Sequence, residues 1–143
     1  MFSTIVVGTD GSDTARAAVA LAVQLIRESG GTLHLVAGVP SASGVTVPAG
    51  GVHVVDPSGG AQRSQAAHRM LEKVANEVQG IDVDIHTAVG DPAEVIVRRA
   101  DEIRADLIVV GSKGMRGTRR ILGSVPNRVA HKARCHVLIA KTT

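Results

Sequence analysis

Aromatic side chains are almost missing from this chain of 143 residues, which holds one Phe (Phe2), no Trp and no Tyr. Its core is therefore expected to be aliphatic, built from Val, Ile, Leu and Ala. Recognition that stacks bases on aromatic platforms is all but excluded. Cys135 is the single cysteine, which excludes an intramolecular disulfide framework and any Cys-based zinc knuckle. No apolar run reaches the length of a membrane span, and the opening MFSTIVVGTDGS has no basic region or cleavage site. With 44% apolar and 20% charged residues, one globular cytoplasmic domain is expected.

Acidic residues are missing from the last quarter of the chain. Residues 1–106 carry 8 basic and 13 acidic groups, whereas residues 107–143 carry 8 basic groups and no acidic one. A net −5 is thus followed by a net +8. Seven of those last eight cations lie between Lys113 and Arg134, in and just after a glycine-rich stretch. Such a cluster is either a solvated basic face or an anion site that concentrates phosphates or nucleic acid. Charge alone does not choose between them.

The apolar pattern alternates between the two periods of regular structure. Thr4–Thr9 is a short β-branched run of the buried-strand kind. From Ser12, a plausible N-cap, Ala15, Ala18, Val19, Ala22, Val23 and Ile26 form a helical stripe that ends at Gly30-Gly31. Thr32–Val39 reads as a second strand. Residues 40–60, rich in Gly, Pro and Ser, read as a long loop, either a flap or disordered. A helix is predicted over Ala61–Val78, and an edge strand over Ile81–Ala88, where Asp82, Asp84 and His86 alternate outward. Asp91-Pro92-Ala93-Glu94 predicts a helix start, with Asp91 as N-cap, Pro92 at the first helical position and Glu94 completing a capping box. That helix is expected to reach Arg104. A buried strand at Asp106–Val110, a Gly-rich loop, a helix over Ser124–Ala133 and a strand at His136–Lys141 follow. This alternation specifies an α/β fold, a doubly wound parallel sheet with helices on both faces.

In such sheets ligands bind at the carboxyl ends of the strands, where the strand order reverses. Two segments leave buried strands there. Gly8-Thr9-Asp10-Gly11-Ser12 runs into a helix start, and Val110-Gly111-Ser112-Lys113-Gly114 continues through Gly117 to Gly123-Ser124-Val125 and another helix start. Glycines let backbone amides approach a ligand, and free N–H groups at a helix start favour anions. Ser112 and Ser124 add hydroxyls, while Lys113, Arg116, Arg119 and Arg120 add charge. Together they favour a phosphate-bearing ligand. The plainer alternatives are a simple turn at Gly111 and Gly114, Ser124 as an N-cap only, and Asp10 as a brace of the first turn. As a ligand residue Asp10 faces ribose, water or a phosphate-bound Mg²⁺. The chain has no GxxxxGK[ST] loop and no GxGxxG after the first strand, which argues against a P-loop NTPase and against dinucleotide cofactors.

The segments IVVGTDGS, GDPAEVIV, ADLIVVGSKG and LGSVPNRVAHKARCHVLI together resemble the universal stress protein family, over the whole of residues 1–143. Its ATP-binding branch is marked by G-x2-G-x9-G-[ST]. This chain has Gly111-x2-Gly114, eight residues and then Gly123-Ser124, one residue shorter. The resemblance implies a five-stranded sheet of order 3-2-1-4-5, of the adenine nucleotide alpha hydrolase-like kind, and a regulatory or stress-response role. It places Gly8, Thr9 and Asp10 near a nucleoside and Gly38 beside the base. Val110, Gly111 and Gly114 then border ribose and phosphates, and Gly123, Ser124 and Val125 hold the phosphate end. ATP, with or without Mg²⁺, or cyclic AMP is the implied ligand. Ala37-Gly38 stands where the family often has His-Val. The resemblance also implies a homodimer through the last strand, which would cover the apolar edge Val137–Ala140.

Support for catalysis is thin. No Ser-His-Asp order or HExxH occurs, and the six histidines have no metal-ligand spacing. His131, Cys135 and His136 straddle a helix-to-strand turn and are expected to diverge. Neither a catalytic residue nor a metal ligand is assigned. Phosphoryl transfer needs an oriented nucleophile as well as bound charge, so the enzyme reading is at most slow ATP hydrolysis. A third reading is a nucleotide-free dimer that binds partners or nucleic acid through its basic face.

Overall fold

The computed structural model describes residues 1–40, 57–112 and 124–141. Nine elements follow one another: β1 (Thr4–Gly8), α1 (Asp13–Ser29), β2 (Thr32–Val39), α2 (Pro57–Glu77), β3 (Asp82–Val89), α3 (Pro92–Glu102), β4 (Leu107–Gly111), α4 (Val125–Lys132) and β5 (His136–Ala140). The strands form one parallel sheet in the order β3-β2-β1-β4-β5. This is the expected 3-2-1-4-5 arrangement. The order reverses between β1 and β4, so their carboxyl ends diverge and open a space between the two connecting helices.

Strand alternation divides the core in two. Ile5, Val7, Leu33, Leu35, Leu107 and Val109 point to one face, where they meet Ala18, Val19, Ala22 and Ile26 of α1 and Leu71 and Val74 of α2. Val6, Val36, Ile108 and Val110 point to the other, under Ala93, Val95 and Ile96 of α3 and Val129 of α4. The buried hydrophobic side chains of both layers are aliphatic, as the composition requires. Phe2 is partly buried against the first of these layers, its ring edge-on to His136 with centroids 6.1 Å apart.

The helix starts follow their predicted caps. Ser12 Oγ accepts from Ala15 N at 3.2 Å, and Asp91 Oδ2 accepts from Glu94 N at 3.2 Å with Pro92 in the first turn. Only the Asp91 half of the capping box forms, because Glu94 Oε1 accepts from Lys132 Nζ at 3.3 Å. Helix α2 begins at Pro57, four residues before the expected Ala61. The locked φ of proline suits a first helical turn, whereas Gly59-Gly60 hides the helical pattern from sequence. The rest of the expected flap, residues 41–56, lies outside the described residues. The N-terminus is fastened by Asp106, whose Oδ2 accepts from Ser3 N, Ser3 Oγ and Thr4 N at 2.9–3.0 Å. Strands β3 and β5 are the sheet edges, and on β5 Ile139 is 42% exposed. Among the described residues no helix is long and apolar enough to cross a membrane.

Candidate functional site

At the switch point the ends of β1, β2 and β4 border a cleft of about 380 Å³, walled by α2 on one side and by the starts of α3 and α4 on the other. Of the residues singled out from sequence, Gly8, Thr9, Asp10, Gly38, Val110, Gly111 and Val125 line it together. Ser124 does not. It is the N-cap of α4, in extended backbone, and its side chain makes no capping bond. Gly114 and Gly123, with Lys113, Arg116, Arg119 and Arg120, lie outside the described residues.

The turn from β1 into α1 holds itself. Thr9 is buried; its N donates to Val36 O at 3.1 Å and its Oγ1 accepts from Gly11 N at 3.1 Å. Asp10 is exposed, and its Oδ1 accepts from Ser12 N at 2.9 Å. This is the bracing role that sequence allowed. Gly11 has φ +78°, a left-handed conformation that side chains resist, and a Cβ there would stand 2.7 Å from Met70 Cγ.

Strand β2 outruns β1, and the overhang shapes the cleft. In a parallel ladder the N–H and C=O of alternate residues turn to opposite neighbours. Val36 O bonds toward β1, through Thr9 N, and Val39 O toward β3, through Gly90 N at 2.8 Å. Gly38, of the Val36 parity, thus turns its N–H and C=O to the side on which β1 has already ended. A Cβ on Gly38 would stand 2.7 Å from Pro92 Cα. The glycine lets α3 start directly against β2, which explains why this chain has Gly at that position.

Sequence reasoning missed the α2 wall. Arg63, Ala66, Ala67 and Met70 face the cleft, although Ala67 and Met70 read only as a core stripe. Their spacing gave the buried side of the helix but not that part of it borders a cavity. Among the described lining residues Asp10 is the one acid and Arg63 the one base; most of the remainder are apolar. Among the described residues no three His, Cys, Asp or Glu side chains gather as a metal site. Behind the α3–α4 wall, Arg128 Nη1 donates to Asp91 Oδ1 at 2.6 Å. This bond, with the Glu94 amide, holds the Asp91 carboxyl below the usual carboxylate range.

The chain is a doubly wound α/β protein with a mainly apolar cleft at its switch point, edged by glycine turns and helix starts, the place where sheets of this kind take small ligands. Residues 1–141 match the model of the universal stress protein family, and the chain belongs to that family. Universal stress protein MJ0531 of Methanocaldococcus jannaschii is 34% identical over 142 residues, covering 99% of this chain and 83% of that one. Universal stress protein Rv1636 of Mycobacterium tuberculosis is 34% identical over 146 residues, covering 99% and 98%. A universal stress protein whose crystal structure was solved in complex with cAMP superposes with a TM-score of 0.72 at 32% identity, over 99% of both chains.

Proposed function

We propose that this universal stress protein binds an adenine nucleotide in the cleft, ATP in the first instance, and acts through a cytoplasmic homodimer in the stress response. The carrying observation is the overhang of β2. Gly38 presents a free N–H and C=O at the mouth of an apolar cleft, a donor–acceptor pair that suits the edge of adenine without an aromatic platform. Gly8, Thr9 and Asp10 border the nucleoside in this reading, while Val110, Gly111, Val125 and the start of α4 face ribose and phosphates. Gly114, Gly123 and Ser124 complete the phosphate end. Mg²⁺ enters, if at all, with the phosphates near Asp10, since a lone carboxylate holds the ion poorly. The exposed edge at Ile139 supports pairing of β5 across a twofold axis.

A second ligand, cyclic AMP, is favoured by one observation, the similar protein solved in complex with it. Either ligand can be read without a label. Lacking Trp and Tyr, the purified protein absorbs little near 280 nm, so a co-purified adenine nucleotide dominates at 260 nm and is identified after denaturation. Thermal stabilisation by ATP with Mg²⁺, or by cyclic AMP, is the expected result. Filling the cleft from its exposed wall, by Ala66→Phe, should abolish that stabilisation while the ligand-free midpoint stays within a few degrees. A clean spectrum with no thermal shift for either nucleotide refutes the reading.

A further inference from the structure

The base end and the phosphate end of the cleft sit on different elements, and one carboxylate joins them. The start of α3 is fixed to β2 by Gly90 N on Val39 O at 2.8 Å and by the close approach of Pro92 to Gly38. The start of α4 is seated by its buried Pro126 and Val129, while Ser124 makes no side-chain cap. Asp91 is bonded at both oxygens: Oδ2 caps α3 through Glu94 N at 3.2 Å, and Oδ1 accepts from Arg128 Nη1 at 2.6 Å. Both side chains of that pair are about one third exposed. One turn further on, Lys132 and Glu94 repeat the tie at 3.3 Å, at the half-exposed surface. The cleft therefore has Pro92 and Val125 in its wall with Asp91 and Arg128 locked behind them.

We propose that Asp91 and Arg128 are a positioning pair, which sets the start of α4 at the distance from β2 that lets a nucleotide span base and phosphate ends together. The proposal rests on the nucleotide reading above and deepens it. The pair touches no ligand. Its cation sits in the first turns of α4, where the helix dipole disfavours positive charge, and Asp91 offsets that cost while directing the guanidinium away from the cleft. Such a pair separates two ligands by length. One that reaches only the base end is indifferent to the placement of α4, and one that carries phosphates is not.

The test measures dissociation constants of ATP and of adenosine by calorimetry, with competition for the weaker ligand. Asp91→Asn keeps a good N-cap but loses the charge, and Arg128→Met keeps the apolar stem. Each should weaken ATP about tenfold, equivalent to about 1.4 kcal/mol, and leave adenosine within about twofold. The double variant should be no weaker than the worse single one, because both remove one interaction. Arg128→Lys should recover most of the loss. If Asp91→Asn folds poorly, Arg128→Met alone decides. Unchanged ATP binding in the variants overturns the pair, as does a parallel loss of both ligands, the mark of a purely structural bond. A wild-type protein that binds neither ligand overturns the nucleotide reading, and with it this one.

Discussion

Two helix starts border the cleft mouth, those of α1 and α4, and they are finished in opposite ways. From β1 into α1, Thr9, Asp10 and Ser12 each accept a backbone N–H within the turn. At the start of α4, Ser124 accepts none from its side chain, and the helix is held from the side by Asp91. A side-chain cap takes up one of the few free donors of a helix start, as Ser12 does with Ala15 N, whereas an uncapped start keeps its free donors for solvent or an anion. In the nucleotide reading proposed above, the difference favours the start of α4 over the α1 turn as the phosphate end.

The contrast can be broken from the α1 side with the largest effect. Gly11→Val forces a β-branched residue into φ +78° and against Met70, and should destabilise the fold by about 2–4 kcal/mol in urea titration. Ser12→Ala removes a cap bond and should cost about 1 kcal/mol, while Ser124→Ala, with no such bond to lose, should stay within about 0.5 kcal/mol. A loss at Ser124 equal to that at Ser12 would abolish the distinction.

Acid sharpens the comparison between the two faces. The α1–α2 layer is aliphatic, whereas the α3 side buries His34 with Nδ1 lacking a hydrogen-bond partner, 3.8 Å from Asp84 Oδ2. Burial pushes the His34 imidazole below its usual 6.5, and Arg99 adds to this while Asp84 opposes it. The unfolded chain then binds more protons than the folded one, so stability is complete above about pH 6.5 and declines as pH falls. The Asp91 pair weakens only at lower pH, because its folded carboxyl titrates below the ordinary 3.8. Thermal midpoints from pH 8 to 5 should decline, and His34→Leu should flatten that slope; an unchanged slope removes His34 as its source.

Sequence patterns disclosed the elements better than the walls between them. The bounds of β2 and the caps at Ser12 and Asp91 were legible because each depends on neighbours within four residues. Six of the seven lining residues were legible because glycine-rich segments after buried strands mark the switch point, and Gly38 was named only through the family resemblance. The early start of α2 was concealed by two glycines. The bond between Asp91 and Arg128 spans 37 positions, and Glu94, read as half of a local capping box, answers instead to Lys132. Periodicity does not encode such cross-helix choices, which depend on where the sheet places the helices.

Asp106 fastens Thr4 across 102 positions, and β1 pairs with β4 next to it. The central strand is thus made first and completed late. During synthesis at about 5–20 residues per second, β1 waits about 5–20 s for its second neighbour. Over that interval β1, with its apolar Ile5, Val6 and Val7, can pair only with β2, and its other edge is open to wrong pairing until residue 106 emerges.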